Sequence, residues 1–327
     1  MTTNKKRAAI QQGLTLVELM VALAIGSFLI IGAVQIYNQS RQAYVINDSI
    51  AKVQETAQFA MDTIEADLRM ASNWGRNSRG LAVEGRSVIG DANPNTLPAP
   101  TDCGPDWALD LGRPLDGEDN DYTLACAPPA AINAQPASDN LTIRRATVQP
   151  QPLEAGRLQI QSTRVQGELF ADGNVPSTFS PADSATHNLI VNTYYVADNS
   201  ELVPGVPALR RHTLGRGAGG PEVQDLEIAP GVENLQVQFG IDVDEDNTVD
   251  RYVNPGDGVY DPTDANYIPG ARIITARVWL VVRGIEAETG ITDNTDYRPG
   301  NAIMGVQNDE FRRLQVSKTI LLRNART

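Results

Sequence analysis

From Leu14 to Ile36 the chain is almost wholly apolar (LTLVELMVALAIGSFLIIGAVQI), broken by a single charge, Glu18. As a helix rising 1.5 Å per residue this stretch spans about 35 Å, enough to cross a bilayer. The pattern then changes without stopping. Ala43, Ile46, Ile50, Val53, Ala57, Ala60, Ile64 and Leu68 recur at steps of three or four, one apolar stripe on a helix predicted to run to about Ser72. Between them Gln42, Asp48, Lys52, Gln54, Glu55, Asp62, Glu65 and Asp67 are predicted to face water. Asn73, Trp74 and Gly75 supply a stop signal.

Residues 76–140 are rich in Gly, Pro, Asn and Asp with weak periodicity, and read as loop. From 141 onward strand-like runs appear at Leu141–Val148, Leu158–Val165, Leu189–Val196, Ala208–Leu214, Leu235–Val243, Ile273–Val282 and Leu314–Leu322. Leu235, Val237, Phe239 and Ile241 alternate onto one face, whereas RVWLVV at 277–282 predicts a strand covered on both sides. The expected class is α+β, a long N-terminal helix packed by its stripe on a mainly antiparallel β body. The expected segments are a leader at 1–13, a membrane-spanning helix at 14–36, its amphipathic continuation at 37–73, a loop-rich part at 74–140 and the β-rich body at 141–327.

Charge sharpens the N-terminal reading. No acid precedes Glu18, while Lys5, Lys6 and Arg7 sit together before the apolar stretch, predicting a cytoplasmic N-terminus and a translocated body. A conventional cleaved signal peptide would end at a small-residue site near Ala24, Gly26 or Ser27, yet the apolar run continues through Phe28, Leu29, Ile30 and Ile31. A plain uncleaved anchor gives no reason for Glu18 near the membrane centre. The formal net charge of −13 argues against nucleic acid and anionic headgroups as partners of the body.

The segment GLTLVEL at Gly13–Leu19 resembles the class III signal of type IV prepilins and type II secretion pseudopilins. The resemblance implies cleavage after Gly13 by a prepilin peptidase and methylation of the new N-terminal Leu14, where Phe is usual in the family. It also implies that Glu18 neutralises the methylated amine of Leu14 on an adjoining subunit; the alternative is a tolerated polar residue near the interface. The run SRQAYVINDSIAKVQETAQFAMDTIEADLRMA at Ser40–Ala71, with residues 231–253, ARVWLVVRG and FRRLQVSKTILLRN, resembles PilW-type minor pilins. That covers about half of the chain and leaves 76–230 unplaced. The implied function is a minor subunit priming or capping a type IV pilus. Its implied partners are other pilins, prepilin peptidase, an inner-membrane assembly platform and, before assembly, the bilayer. Its implied place is the bacterial inner membrane, single-pass with the body periplasmic, and then the cell surface. The alternatives are a minor pseudopilin of type II secretion and a membrane-anchored ligand-binding or adhesin module.

Cys103 and Cys126, the only cysteines, are expected to form a disulfide in an exported body, closing a loop of about 24 residues for roughly 3 kcal/mol; two free buried thiols are the alternative. Asp242, Asp244, Asp246 and Asp250 fall at positions 1, 3, 5 and 9 of an EF-hand-like loop, with the Thr248 carbonyl at position 7 and Asn247 where glycine is usual. Position 12 is Val253 instead of a bidentate Glu. Calcium is the candidate cofactor, and a solvated acidic hairpin is the alternative reading. Asp257, Asp261 and Asp264, like Asp116, Glu118, Asp119 and Asp121, read as turn chemistry. His187 and His212 lack carboxylate or cysteine partners at zinc-ligand spacing. No GxSxG, GxxxxGK or HExxH occurs, and no enzymatic role is expected. The pairs Arg144-Arg145, Arg210-Arg211 and Arg312-Arg313 are expected to send one member each to solvent as edge protection.

Overall fold

The computed structural model describes residues 15–87, 96–130 and 132–326. Lys5, Lys6, Arg7, Gly13 and Leu14 lie outside the described residues. One helix, α1, runs Leu16–Met70. The strands are β1 Val83–Glu84, β2 Leu115–Glu118, β3 Asn140–Ala146, β4 Gln159–Ser162, β5 Gly167–Phe170, β6 Ala185–Ala197 and β7 Ala208–Gly217. They continue with β8 Gly220–Pro230, β9 Val232–Asp242, β10 Arg251–Val253, β11 Arg272–Arg283, β12 Asp296–Tyr297, β13 Gly305–Val306 and β14 Arg313–Leu321. The chain divides into two units, residues 1–50 and 51–327.

The body, from residue 51 on, holds two main sheets. In the first, β6 is the spine: Ala185–Asn188 pair with β4, Leu189–Tyr194 with β3, and Asn192–Ala197 with β7. The outer neighbours are β8, beside β7, then β2, beside β3, and β5 with β1, beside β4. The second sheet has the order β10-β9-β11-β14, antiparallel throughout. Among the described residues the one parallel pairing in the first sheet is β1 with β5. The expected α+β class with a mainly antiparallel body is the observed one.

The stripe on α1 explains the main core. Val53, Ala57, Ala60, Ile64 and Leu68 are buried against Leu235, Val237, Phe239 and Ile241 of β9 and Val278, Leu280 and Val282 of β11. Each such large side chain contributes about 1.5–3 kcal/mol on leaving water. Ala57 and Ala60 end at Cβ, which lets the helix lie close on the sheet. The opposite face of β11 is also covered, since Val281 is fully buried and Trp279 half-buried.

Three expectations are corrected here. Glu65 and Asp67 do not face water but are buried. Asp67 lies on the stripe's own period with Ala60, Ile64 and Ala71, and its carboxylate takes Arg145 of β3 (Nη2, 2.6 Å) and both Asn192 and Tyr194 of β6 (2.5 and 2.6 Å). Glu65 pairs with Lys318 of β14 and with Arg69. Secondly, the arginine pairs are not solvated edges, because one member of each, Arg144, Arg210 and Arg313, is buried among carboxylates or carbonyls. Arg144 donates to the carbonyls of Trp107 and Arg113, both at 2.7 Å. Arg210 is buried against Asp225 and Glu227, and Arg313 is held by Glu233, Asp293 and Asp309. Arg312 takes Glu288 through both oxygens at 3.0 Å. Thirdly, the loop-rich segment builds a second core in which Trp74, Trp107, Leu109 and Leu111 pack with Ile160, Leu189 and Val191. A disulfide joins Cys103 to Cys126 beside it.

At the entrance to β3, Asp139 stitches the first sheet to the second. Its N–H donates to the Leu235 carbonyl (2.9 Å), and its carboxylate accepts the N–H groups of Asn120 (2.8 Å) and Val237 (2.7 Å). Burial pushes this carboxyl up to about 7, against the pull of those two donors and with the Asp119 charge adding to the rise. A carboxyl raised in the folded state gives stability that is fully present below the unfolded value of 3.8 and is lost as pH climbs toward 7. His187 and His212 act the other way, since burial lowers both and costs stability below 6.5. The Asp139 effect is therefore read from the difference between the native chain and Asp139→Asn. That difference is expected to move by about 2–3 kcal/mol between pH 5 and 8, in favour of the variant at pH 8. Denaturant melts at the two pH values check it, and a constant difference would remove Asp139 as the titrating group.

Candidate functional site

The N-terminal unit presents a bare apolar helix. Every large apolar side chain from Leu16 to Ile36 is more than half exposed, Phe28 reaching 83%. Single exposed apolar residues are ordinary on a protein surface, but an unbroken stretch on all sides of a helix requires lipid or other helices around it. By length and composition this helix can cross a membrane.

Glu18 stands in its first turn, whereas the sequence reading put it near the membrane centre. Thr15 precedes the first helical residue, and its N–H and hydroxyl both donate to Glu18 Oε2 at 3.0 Å. The Glu18 N–H reaches back to the Thr15 hydroxyl at 3.3 Å. This is a capping box, with Thr15 at the cap and Glu18 three residues on. The T-x-x-E spacing carries that signal, and the sequence reading passed over it. The carboxylate thus has a local polar partner and sits at the positive end of the helix dipole, where negative charge is favoured.

The acidic loop follows β9. Asp242 closes that strand with its side chain buried, and Oδ2 accepts from Arg272 Nη2 and from the Asn247 N–H, both at 3.0 Å. Burial pushes its carboxyl up, but Arg272 and the Asn247 N–H outweigh that and hold it below the usual carboxylate range. Oδ1 is buried without a hydrogen bond of good geometry, and the Glu245 N–H adds to the pull that lowers the carboxyl. Asp246 turns to its own chain, accepting the Thr248 N–H (2.7 Å) and hydroxyl (2.6 Å). Asp250 Oδ2 accepts the Val243 N–H at 2.8 Å. Glu245 and Asn247 take left-handed backbone conformations, φ 64° and 68°, and asparagine tolerates this well. Val253, at position 12, is buried and paired with Phe239.

The histidines lie elsewhere. His187 Nδ1 is 2.7 Å from the Thr147 carbonyl. His212 stacks on Tyr195 (4.9 Å between ring centroids), and the fold brings Asp225 to 3.2 Å from its Nδ1, a partner that sequence spacing did not show. That contact is out of line for a hydrogen bond, and Asp225 is already taken by Arg210 and by the Tyr195 hydroxyl.

Residues 9–34 match the prokaryotic N-terminal methylation motif. Residues 193–324, from within β6 through β14, match the family of type IV pilus-assembly protein W. The chain is a PilW-type pilin. Its second sheet, its acidic loop and the arginines of β7 and β14 fall inside the family region, which also takes in residues 193–230 left unplaced by the sequence reading. Neither match reaches 35–192, which includes the whole Ser40–Ala71 stretch. No curated protein matches the chain. Among solved structures, a type IV-like pilin from Thermus thermophilus is similar at 12% identity and a TM-score of 0.27, covering 60% of this chain and 85% of that one. As a PilW-type minor pilin this is a structural subunit that takes part in type IV pilus assembly.

Proposed function

We propose that this pilin primes or caps the fibre, entering it through the apolar half of α1. The reading rests on one observation: the apolar half of α1, exposed on every side, carries a single carboxylate, Glu18, in the first turn. A carboxylate held in hydrocarbon costs about 2.5–3.5 kcal/mol, so a cationic partner is favoured there. In the proposed sequence of events, prepilin peptidase cleaves after Gly13 and Leu14 is methylated. The helix then rests in the inner membrane with its N-terminus cytoplasmic and the body periplasmic. The assembly platform moves the subunit against other pilins, and Glu18 neutralises the amine of Leu14 on a neighbour. The body contributes surface and shape, without catalysis.

Mass spectrometry of the mature chain tests the first step. The expected N-terminus is Leu14 carrying one methyl group. Any other first residue would overturn the processing scheme.

A further inference from the structure

We infer that the loop from Asp242 to Asp250 binds a calcium ion through the carboxylates of Asp242, Asp244 and Asp250. One carboxylate oxygen from each of the three lies within 4.8 Å of the others. Ligands on opposite sides of a calcium ion, each about 2.4 Å from it, have that separation. An acidic loop in water reaches the same spacing by chance, so the buried oxygen decides between the two readings. Asp242 is fully buried, and its Oδ1 has no hydrogen bond. Buried carboxylate oxygens are nearly always satisfied, and one turned among like charges is doubly unfavourable. Arg272 does not answer that need, because it binds Oδ2. A divalent cation held by all three carboxylates does.

The surrounding bonds leave the donors free for this. Asp250 uses Oδ2 for the Val243 N–H, and Asp244 uses Oδ1 for the Asp246 N–H at 3.3 Å, so each has a second oxygen for a metal bond. Asp246 accepts both Thr248 bonds on Oδ1 and stands outside the trio of converging oxygens, which narrows the five-residue set read from spacing. An all-oxygen donor set excludes the metals that need nitrogen or sulfur. An irregular loop with room for water suits calcium better than magnesium, which demands near-octahedral geometry. Three carboxylates without a bidentate residue at Val253 place the dissociation constant at about 10⁻⁴–10⁻³ M, the range of extracellular modules. Bound there, the ion fastens the excursion between β9 and β10 to the end of β9 and, through Arg272, to the start of β11.

The full chain, solubilised in detergent and stripped with chelator, is titrated with calcium chloride and, separately, magnesium chloride while thermal unfolding is followed. Calcium at about 5 mM is expected to raise the melting temperature by several degrees, with magnesium giving less than half of that rise. The paired variant Asp244→Asn/Asp250→Asn keeps the side-chain shapes and the Val243 bond, so it should fold with native circular dichroism and lose the calcium rise. Isothermal titration on both proteins gives a second reading, with heat at one site for the native chain and none for the variant. No calcium rise in the native chain, an equal rise with magnesium, or an undiminished rise in the variant would each overturn the inference.

Discussion

Asp67→Ala is expected to destabilise the body by about 3–5 kcal/mol, the range for removing one partner from a buried ion pair. The carboxylate accepts two bonds from Arg145 and one each from Asn192 and Tyr194, and its side chain is 6% exposed. Removing it leaves the Tyr194 hydroxyl and the Asn192 amide buried without an acceptor, each costing about 1–3 kcal/mol, and strands a guanidinium that is 17% exposed. The loss would fall on the seam between α1 and the first sheet. The Glu65–Lys318 pair, with its lysine 41% exposed, is more strongly screened and adds little there. For a body of this size the melting temperature should fall by about 6–20 °C. Thermal unfolding of the full chain in detergent measures it, and limited proteolysis should show earlier cutting beyond Met70. A loss under about 1 kcal/mol would mean that Asp67 is a surface residue in effect, as its composition suggests.

Why that residue was misread shows where sequence reasoning stops. The stripe of α1 and the alternation of β9 were legible because a helix repeats at 3.6 residues and a strand at two, and apolar residues mark both. Asp67 obeys the same helical period, but its side chain was weighed by polarity instead of position. Its partners Arg145 and Tyr194 lie 78 and 127 residues away, so nothing local announced the pairing. Arg313 and Glu233, 80 residues apart, failed to signal for the same reason. Strand β8 was missed because Glu222, Asp225 and Glu227 hide its alternation, although Gly217-Ala218-Gly219-Gly220 is a hairpin turn signal between two extended runs. Trp74 read as punctuation and is instead a wholly buried member of the second core. The candidate sites divide the same way. The aspartate spacing after β9 was plain, but which oxygens are spent inside the loop depends on backbone torsions at Glu245 and Asn247. Glu18 was plain as a charge, and its bond to Thr15 was equally available from the T-x-x-E spacing.

That second role for Glu18 shapes the decisive test. Glu18→Gln is expected to leave processing and membrane insertion intact and to lower incorporation into fibres by tenfold or more. Glutamine at this helical position still serves a capping box, so its partnership with Thr15 survives. Only the charge is lost, and with it the attraction to a neighbouring amine. If a carboxylate in hydrocarbon costs about 2.5 kcal/mol or more and its counter-ion recovers most of that, the loss corresponds to nearly 100-fold in an association constant. Thr15→Ala provides the complement: it breaks the cap at about 0.5–2 kcal/mol of local helix stability and keeps the charge, so incorporation should change only a few-fold. Sheared fibres and membranes are quantified for both variants, with the mature N-terminus checked by mass. Native incorporation of Glu18→Gln together with failure of Thr15→Ala would make Glu18 a helix cap and nothing more. The opposite pattern separates charge from cap, and a lone acid in an otherwise bare apolar helix is then explained by the subunit that comes to lie beside it.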